Sequence, residues 1–144
     1  MTSFNNQERQ KIIMDAYVNP KYKKESIELT DSTIVEHSNV CVDDIKLNLF
    51  FDNDILVNAE YQAMGCAIFL SSCDLMIAEI MNKSKLEIIK LINNYFSLIN
   101  GENVSQDDKE KLNLLNVFEN VKIHYNRLEC ASIIYRAIKR GLNE

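Results

Sequence analysis

The chain has 144 residues, of which 47% are hydrophobic and 26% are charged, with one proline and three glycines. These proportions are ordinary for a folded globular protein and exclude collagen-like, low-complexity and largely disordered chains. The formal net charge is −5 and there is no basic run, so the composition excludes nucleic acid and anionic membranes as partners. We expect one domain over residues 1–144.

The first part of the chain reads as a helix followed by a small sheet. Apolar residues at helical spacing predict a helix over residues 5–17, and Asn19-Pro20 ends it, because the residue before proline avoids helical backbone angles. Residues 21–30 are polar and predict a surface connection, and residues 32–37 predict a weak strand.

The clearest strand covers Asp44–Phe51, where apolar and polar side chains alternate. Asp52-Asn53 suits a tight turn, because both residue types tolerate left-handed backbone angles. A second alternating strand follows, with one face formed by Ile55, Val57, Ala59, Tyr61 and Ala63. The two strands form an antiparallel hairpin, to which residues 32–37 add a third strand.

The remainder of the chain is predicted to be helical. Cys66–Met81 is apolar almost all round, which is typical of a buried helix, and Ser84 to Glu87 resembles a capping box. Two further helices are predicted from apolar residues at helical spacing. One contains Ile89, Ile92, Phe96 and Ile99, and a shorter one contains Leu112, Leu115 and Phe118. A last helix contains Arg127 and Cys130. Strands segregated from helices indicate an α+β fold: a three-stranded antiparallel sheet with helices packed on one face.

The cellular compartment limits what the four cysteines can be. No apolar stretch is long enough to span a bilayer, and the polar first residues do not resemble a secretory signal, so we expect a cytoplasmic protein. Cysteines in a reducing compartment are not expected to form disulfides. Core thiols, reactive thiols and metal ligands remain open.

Three of the cysteines and one acid are expected to lie close together. Cys41 and Asp43 are two residues apart before the best strand, so they can project the same way, and the returning hairpin brings Cys66 near them. We expect Cys130 in the first turn of the last helix, where free N–H groups favour a thiolate. Three thiols and one carboxylate could close a tetrahedral zinc site. Cys73, on an apolar helix face, reads as a core residue.

Other polar groups have competing readings. His37 and His124 lie near Cys41 and Cys130, so a nucleophile–base pair is conceivable, but surface or capping roles explain both histidines. Arg136, Lys139 and Arg140 lie on the polar side of the last helix, which is either a solvated face or a docking surface for an acidic partner.

The chain resembles the U-type iron–sulfur cluster assembly proteins: IscU, SufU and the N-terminal domain of NifU. The resemblance rests on residues 14–20, on His37–Asp43 for the NPxCGD loop, on Met64–Ile68 for the GxGCxIS turn, and on Arg127–Ala131 for the third-cysteine motif. Val42 replaces the glycine of the first motif, and only the second glycine of the turn is kept, as Gly65.

Two details make the chain most similar to the zinc-dependent SufU type. The interval from Cys66 to Cys130 is longer than in IscU, through an additional segment around residues 95–118. Position 129 is a glutamate where IscU-type members carry histidine, and Arg127 matches an arginine typical of SufU. The resemblance implies that Cys41, Asp43, Cys66 and Cys130 bind zinc.

The resemblance also implies a function. Cys41 is expected to accept sulfur from a pyridoxal-phosphate-dependent cysteine desulfurase of the SufS or IscS type, with Arg127 as a second functional residue, and the sulfur passes to downstream iron–sulfur assembly proteins. The protein would then be a sulfur carrier rather than a stand-alone enzyme. Two alternatives remain: a scaffold on which an iron–sulfur cluster is bound transiently at the same residues, and a non-catalytic zinc-stabilised binding domain.

Overall fold

The computed structural model describes residues 3–40 and 42–143. Its strands are β1 (Ile34–His37), β2 (Asp44–Asp52) and β3 (Ile55–Met64). Its α-helices are α1 (Asn6–Val18), α2 (Ala67–Ile80), α3 (Lys85–Ile99), α4 (Gln106–Leu112) and α5 (Tyr125–Asn143), with 3₁₀ segments at Asn113–Phe118 and Val121–Ile123. None of the described helices is long and apolar enough to cross a membrane.

The sheet confirms the predicted fold class. Its order is β1-β2-β3 and both strand pairs are antiparallel. The register pairs Ile34 with Leu47 and Asp44 with Met64. Helices α2 and α5 pack on the sheet face that carries Ile45, Leu47 and the other buried strand residues.

The hairpin between β2 and β3 corrects two details of the sequence prediction. The turn lies at Asn53 and Asp54, one residue later than predicted, and both have positive φ, as a two-residue primed turn requires. A register shift near Phe50 leaves Val57 without a partner, so Leu56 is fully buried and Val57 is half exposed. The prediction that Val57 shares the buried face was therefore wrong, because a bulge reverses the alternation.

The connection before β1 covers the outer face of the sheet. Residues 21–30 were predicted to be a polar surface segment, but Ile27 is buried and its N–H donates to the Gln62 side chain. Asn48, which is buried on the same outer face, donates to the Glu28 carbonyl oxygen. The segment thus satisfies polar groups that would otherwise be buried without partners.

Helix α2 is the centre of the core, as its apolar sequence predicts. Every residue from Phe69 to Ile77 is buried, including Cys73, which is fully buried. The Ser71 and Ser72 hydroxyls donate to carbonyl oxygens three residues earlier in the helix, so these polar groups are satisfied within the core.

The C-terminal helices form as predicted, but the buried face of α3 differs from the predicted one. The Ser84–Glu87 capping box forms as predicted. The fully buried residues of α3 are Ile88, Ile92, Tyr95 and Ile99. Ile89 and Phe96 were predicted in this stripe, but Ile89 is only partly buried and Phe96 is exposed. Packing against α5 centres the buried face on Tyr95, whose hydroxyl donates to the Ala131 carbonyl. Leu112, Leu115 and Phe118 are buried as predicted, although the helix changes to a 3₁₀ segment at Asn113.

A buried carboxylate fastens the chain after α1 to the sheet. Asp74 on α2 accepts hydrogen bonds from the Lys21 N–H at 2.9 Å, the Tyr22 N–H at 3.0 Å and the Tyr61 hydroxyl at 3.0 Å. Burial, with the neighbouring Cys73 and Asp74 groups, raises the pKa of Tyr61, so the phenol keeps its proton and donates. The backbone of Tyr61 also pairs with Tyr22 and Lys24, which holds this segment along β3.

Replacing this carboxylate should destabilise the fold. Asp74→Ala leaves three donors without their acceptor, and we expect it to lower the free energy of unfolding by about 3 kcal/mol. Tyr61→Phe removes only one donor and should cost about 1 kcal/mol. Urea unfolding followed by circular dichroism measures both values. Equal losses for the two variants would contradict this role of Asp74.

Candidate metal centre

The sheet register brings Asp43 and Cys66 together. Asp43 comes directly before β2, and Cys66 follows β3 after Gly65, while Asp44 pairs with Met64. The buried Asp43 carboxylate accepts the Cys66 N–H through Oδ1 at 3.0 Å, and its Oδ2 lies 4.0 Å from Cys66 Sγ. The backbone of one candidate ligand therefore orients the side chain of the other.

Cys66 is the N-cap of α2. Its Sγ accepts a hydrogen bond from the Phe69 N–H at 3.5 Å, which holds the thiol at the first turn of the helix. Cys66 is exposed.

Cys130 supplies the second thiol of the site from α5. The helix begins at Tyr125, so Cys130 lies in the second turn and not in the first, and the predicted stabilisation by unpaired N–H groups does not apply to it. Cys130 is buried. The candidate ligand atoms of Asp43, Cys66 and Cys130 all lie within 4.8 Å of one another.

Gly65 makes the close approach of these residues possible. A Cβ atom at this position would lie 2.2 Å from Asp43 Oδ1 and 2.6 Å from Phe69 Cδ2. Any larger residue would therefore displace the Asp43 carboxylate or the first turn of α2. Gly65 is the glycine of the GxGCxIS turn that this sequence keeps, and its close contacts with Asp43 and Phe69 give a steric reason for it.

The donor chemistry fits a zinc ion. Two thiols and a carboxylate are ligand types that Zn²⁺ accepts, and bonds of about 2.3 Å to sulfur and about 2.0 Å to oxygen place a tetrahedral sulfur and oxygen roughly 3.5 Å apart. The 4.0 Å between Cys66 Sγ and Asp43 Oδ2 is about half an ångström longer than that spacing. Cys41, the fourth predicted ligand, lies outside the described residues.

Arg127 lies at the mouth of the candidate site. It is exposed and lines an open pocket of about 440 Å³ together with Val42, Cys66 and Cys130. Within residues 3–40 and 42–143, its side chain forms no hydrogen bond or ion pair. The structure thus brings Arg127 to the same pocket as the three described candidate ligands, Asp43, Cys66 and Cys130.

Sequence reasoning missed the role of Glu129. Its carboxylate accepts hydrogen bonds from the Ser38 hydroxyl at 3.3 Å, from the Asn39 N–H at 3.2 Å and from two guanidinium nitrogens of Arg136 at 3.1 and 3.0 Å. Burial raises the pKa of Glu129, but the hydrogen bonds from Arg136, Asn39 and Ser38 outweigh it, so the pKa lies below its usual value. The Glu129–Arg136 spacing of two helical turns was a signal for this pair.

The basic residues of α5 are used within the chain. Arg136 pairs with Glu129, and Arg140 pairs with Glu36 at 2.9 Å and donates to the Val35 carbonyl oxygen. These contacts connect β1 to α5, so both arginines form ion pairs within the chain.

The other candidate groups are not part of the ligand cluster. Burial, followed by the charges of Asp74, Asp43 and Cys66, raises the pKa of the Cys73 thiol well above its usual value. His37 and His124 are exposed. Among the described residues, the only group of three or more metal-ligating side chains is Asp43, Cys66 and Cys130.

Known proteins are similar to this chain in both sequence and fold. The chain is 28% identical to the zinc-dependent sulfurtransferase SufU of Bacillus subtilis, over 91% of this chain and 86% of that protein. It is 29% identical to the iron–sulfur cluster assembly scaffold protein IscU of Thermotoga maritima, over 85% of each. A crystal structure described as a SUF-system scaffold protein from Fervidobacterium islandicum AW-1 superposes with a TM-score of 0.79 at 25% identity, over 91% of this chain and 93% of that one.

The family assignment rests on a match over more than half of the chain. The model of the family described as NifU-like N terminal domain matches residues 8–96, which include β1 to β3, α2 and most of α3. This protein therefore belongs to the NifU-like N-terminal domain family of iron–sulfur cluster assembly proteins.

Proposed function

We propose that the protein is a zinc-dependent sulfur acceptor for a pyridoxal-phosphate-dependent cysteine desulfurase. The observation that carries the proposal is the cluster of Asp43, Cys66 and Cys130, whose ligand atoms lie within 4.8 Å of one another. Cys41 is the fourth ligand of the proposed site and is two residues from Asp43 in the chain. The family and the name of the Bacillus subtilis relative support this function.

The zinc would keep its cysteine ligands as thiolates and connect three separate parts of the chain. Asp43 comes from the segment before β2, Cys66 from the start of α2, and Cys130 from α5. Three thiolates and one carboxylate carry four negative charges against two on the metal, so the site remains net negative. Arg127, at the pocket mouth, is the nearby cation that we propose offsets this charge.

Cys41 is the proposed acceptor of sulfur. Its thiolate attacks the outer sulfur of the desulfurase persulfide, so a new S–S bond forms on Cys41 and the S–S bond of the desulfurase breaks. The desulfurase cysteine leaves as a thiolate, and the transferred sulfur keeps its proton, so no net oxidant or reductant is needed. Arg127 would pair with the negatively charged Cys41 sulfur and hold it towards the incoming persulfide.

A cluster scaffold is the second candidate, because thiolates also bind iron–sulfur clusters and two similar proteins are named as scaffolds. One observation favours the sulfur acceptor over this alternative. The Glu129 carboxylate, in the place where IscU-type members carry histidine, is bound to Arg136, Ser38 and Asn39. It is therefore occupied by contacts within the chain rather than available as a further ligand.

Metal analysis tests the proposed centre. Protein purified without chelators should contain about one zinc per chain, remain colourless after anaerobic incubation with iron and sulfide, and lose most zinc in the Cys66→Ser variant, because one of four ligands is removed. Cys73→Ala is the control and should keep its zinc, since Cys73 is a core residue. A brown, cluster-containing product would favour the scaffold, and full occupancy in Cys66→Ser would refute this ligand set.

Mass spectrometry tests the sulfur transfer. After incubation with a desulfurase and cysteine, Cys41 should gain the mass of one sulfur, and the Cys41→Ser variant should gain none. A persulfide on Cys73 in the parent protein would contradict the assignment. Acceleration of the desulfurase separates the sulfur acceptor from a zinc-stabilised binding domain, which would bind metal without increasing turnover.

Substitution of Arg127 tests its role at the pocket mouth. Arg127→Ala should keep its fold and zinc but lose at least about tenfold in stimulation of the desulfurase, equivalent to about 1.4 kcal/mol of transition-state stabilisation. Arg127→Lys should recover only part of this, because an ammonium lacks the guanidinium fork. The control is Lys122→Ala, which removes an exposed cation outside this pocket. Equal stimulation by Arg127→Ala and the parent at matched zinc content would refute the role.

A further inference from the structure

The segment that leads to Cys41 is tied to α5 through one carboxylate. Glu129 Oε2 accepts both the Asn39 backbone N–H at 3.2 Å and the Ser38 hydroxyl at 3.3 Å. Ser38 Oγ in turn accepts the Val40 N–H at 3.1 Å, and the Ser38 N–H donates to the Asp43 carbonyl oxygen at 2.9 Å. These hydrogen bonds link residues on both sides of Cys41 to one another and to Glu129.

Arg136 fixes the position of the Glu129 carboxylate. Its guanidinium meets both carboxylate oxygens at 3.1 and 3.0 Å, the two-bond geometry that restricts orientation as well as distance. Arg136 is also held by Glu36 at 3.9 Å and by the His37 carbonyl oxygen at 3.5 Å. The Glu129 side chain is largely buried, so these bonds are shielded from water.

The side chains of this segment bury little apolar surface: Asn39, Val40 and Val42 are exposed, and Val42 is 84% exposed. A loop of this kind depends on hydrogen bonds for its position. Glu129 is adjacent in sequence to Cys130, so the same turn of α5 carries a candidate ligand and the acceptor that binds the opposite segment.

We propose that Glu129 is a positioning residue for the segment containing Cys41 and Asp43. Its carboxylate, oriented by Arg136, sets the distance of that segment from Cys66 and Cys130 and so prepares the metal centre. The effect of Glu129 on metal affinity rests on the proposed function, whereas its hydrogen bonds to residues 38–40 do not. A residue that orients ligands in this way contributes to metal affinity without touching the metal.

Two substitutions at position 129 separate hydrogen bonding from charge. Glu129→Ala removes both the acceptor and the negative charge, and Glu129→Gln removes the charge but keeps an oxygen that can accept the Asn39 N–H. If Glu129 acted only through its charge on a nearby cation, the two variants would behave alike. Glu119→Ala is the matched control, because Glu119 also forms a partly buried ion pair, with Arg9 at 3.0 Å, in another part of the chain.

The first measurement is amide hydrogen exchange at Asn39 and Val40 in zinc-free protein. We expect at least about tenfold faster exchange in Glu129→Ala, near-parent exchange in Glu129→Gln and no change in Glu119→Ala, while core amides of α2 exchange as in the parent. Unchanged exchange at Asn39 and Val40 in Glu129→Ala would overturn the proposal. A uniform increase across the core would also overturn it, because it would show a loss of global stability instead.

The second measurement is the zinc dissociation constant from competition with a chromophoric chelator. Glu129→Ala should weaken zinc binding about 10- to 100-fold, and Glu129→Gln should stay within about threefold of the parent. Equal weakening in both variants would overturn positioning in favour of a charge effect. If the parent binds no zinc, the proposed function fails, and hydrogen exchange alone tests whether Glu129 holds residues 38–40 against α5. If the parent binds zinc and both variants bind it equally well, the positioning role of Glu129 fails and the proposed function stands.

Discussion

The hydrogen bond from the Cys66 N–H to the Asp43 carboxylate is the contact on which the candidate site depends. It forms because the antiparallel register pairs Asp44 with Met64 and so places the residue before β2 beside the residues after β3. A slip of one residue in this pairing would turn every strand side chain to the opposite face. The buried faces of β2 and β3 therefore fix the separation of Asp43 and Cys66 as firmly as they fix the core.

The third member of the cluster comes from an element that the sheet alone does not position. Cys130 is brought to Asp43 by the packing of α5 against α2, α3 and β1. Several contacts hold α5 in that place, among them the Tyr95 hydroxyl on the Ala131 carbonyl and the pairing of Arg140 with Glu36. The site is thus assembled by tertiary packing between segments more than sixty residues apart in the chain, from Cys66 to Cys130.

The sequence predicted the parts of this structure that depend on local patterns. Alternation identified β2, a capping box identified the start of α3, and a continuous apolar run identified the buried helix α2. It missed the bulge at Val57, because Leu56 and Val57 are both apolar and the sequence does not show which of the two faces the core. It also missed the bonds of Glu129, since a contact between α5 and the segment at Ser38 depends on where packing places a distant helix.

The division of charge along α5 follows from these contacts. A glutamate beside Cys130 adds negative charge next to a site that is already rich in thiols and carboxylate, and a buried carboxylate without a partner would be costly. Arg136 supplies that partner through two hydrogen bonds. Arg127, more than two turns earlier on the same helix, has no ion pair within the described residues and lines the pocket with Cys66 and Cys130. One arginine of α5 is therefore paired with the glutamate beside Cys130, whereas the other is exposed and lines the pocket of the candidate site.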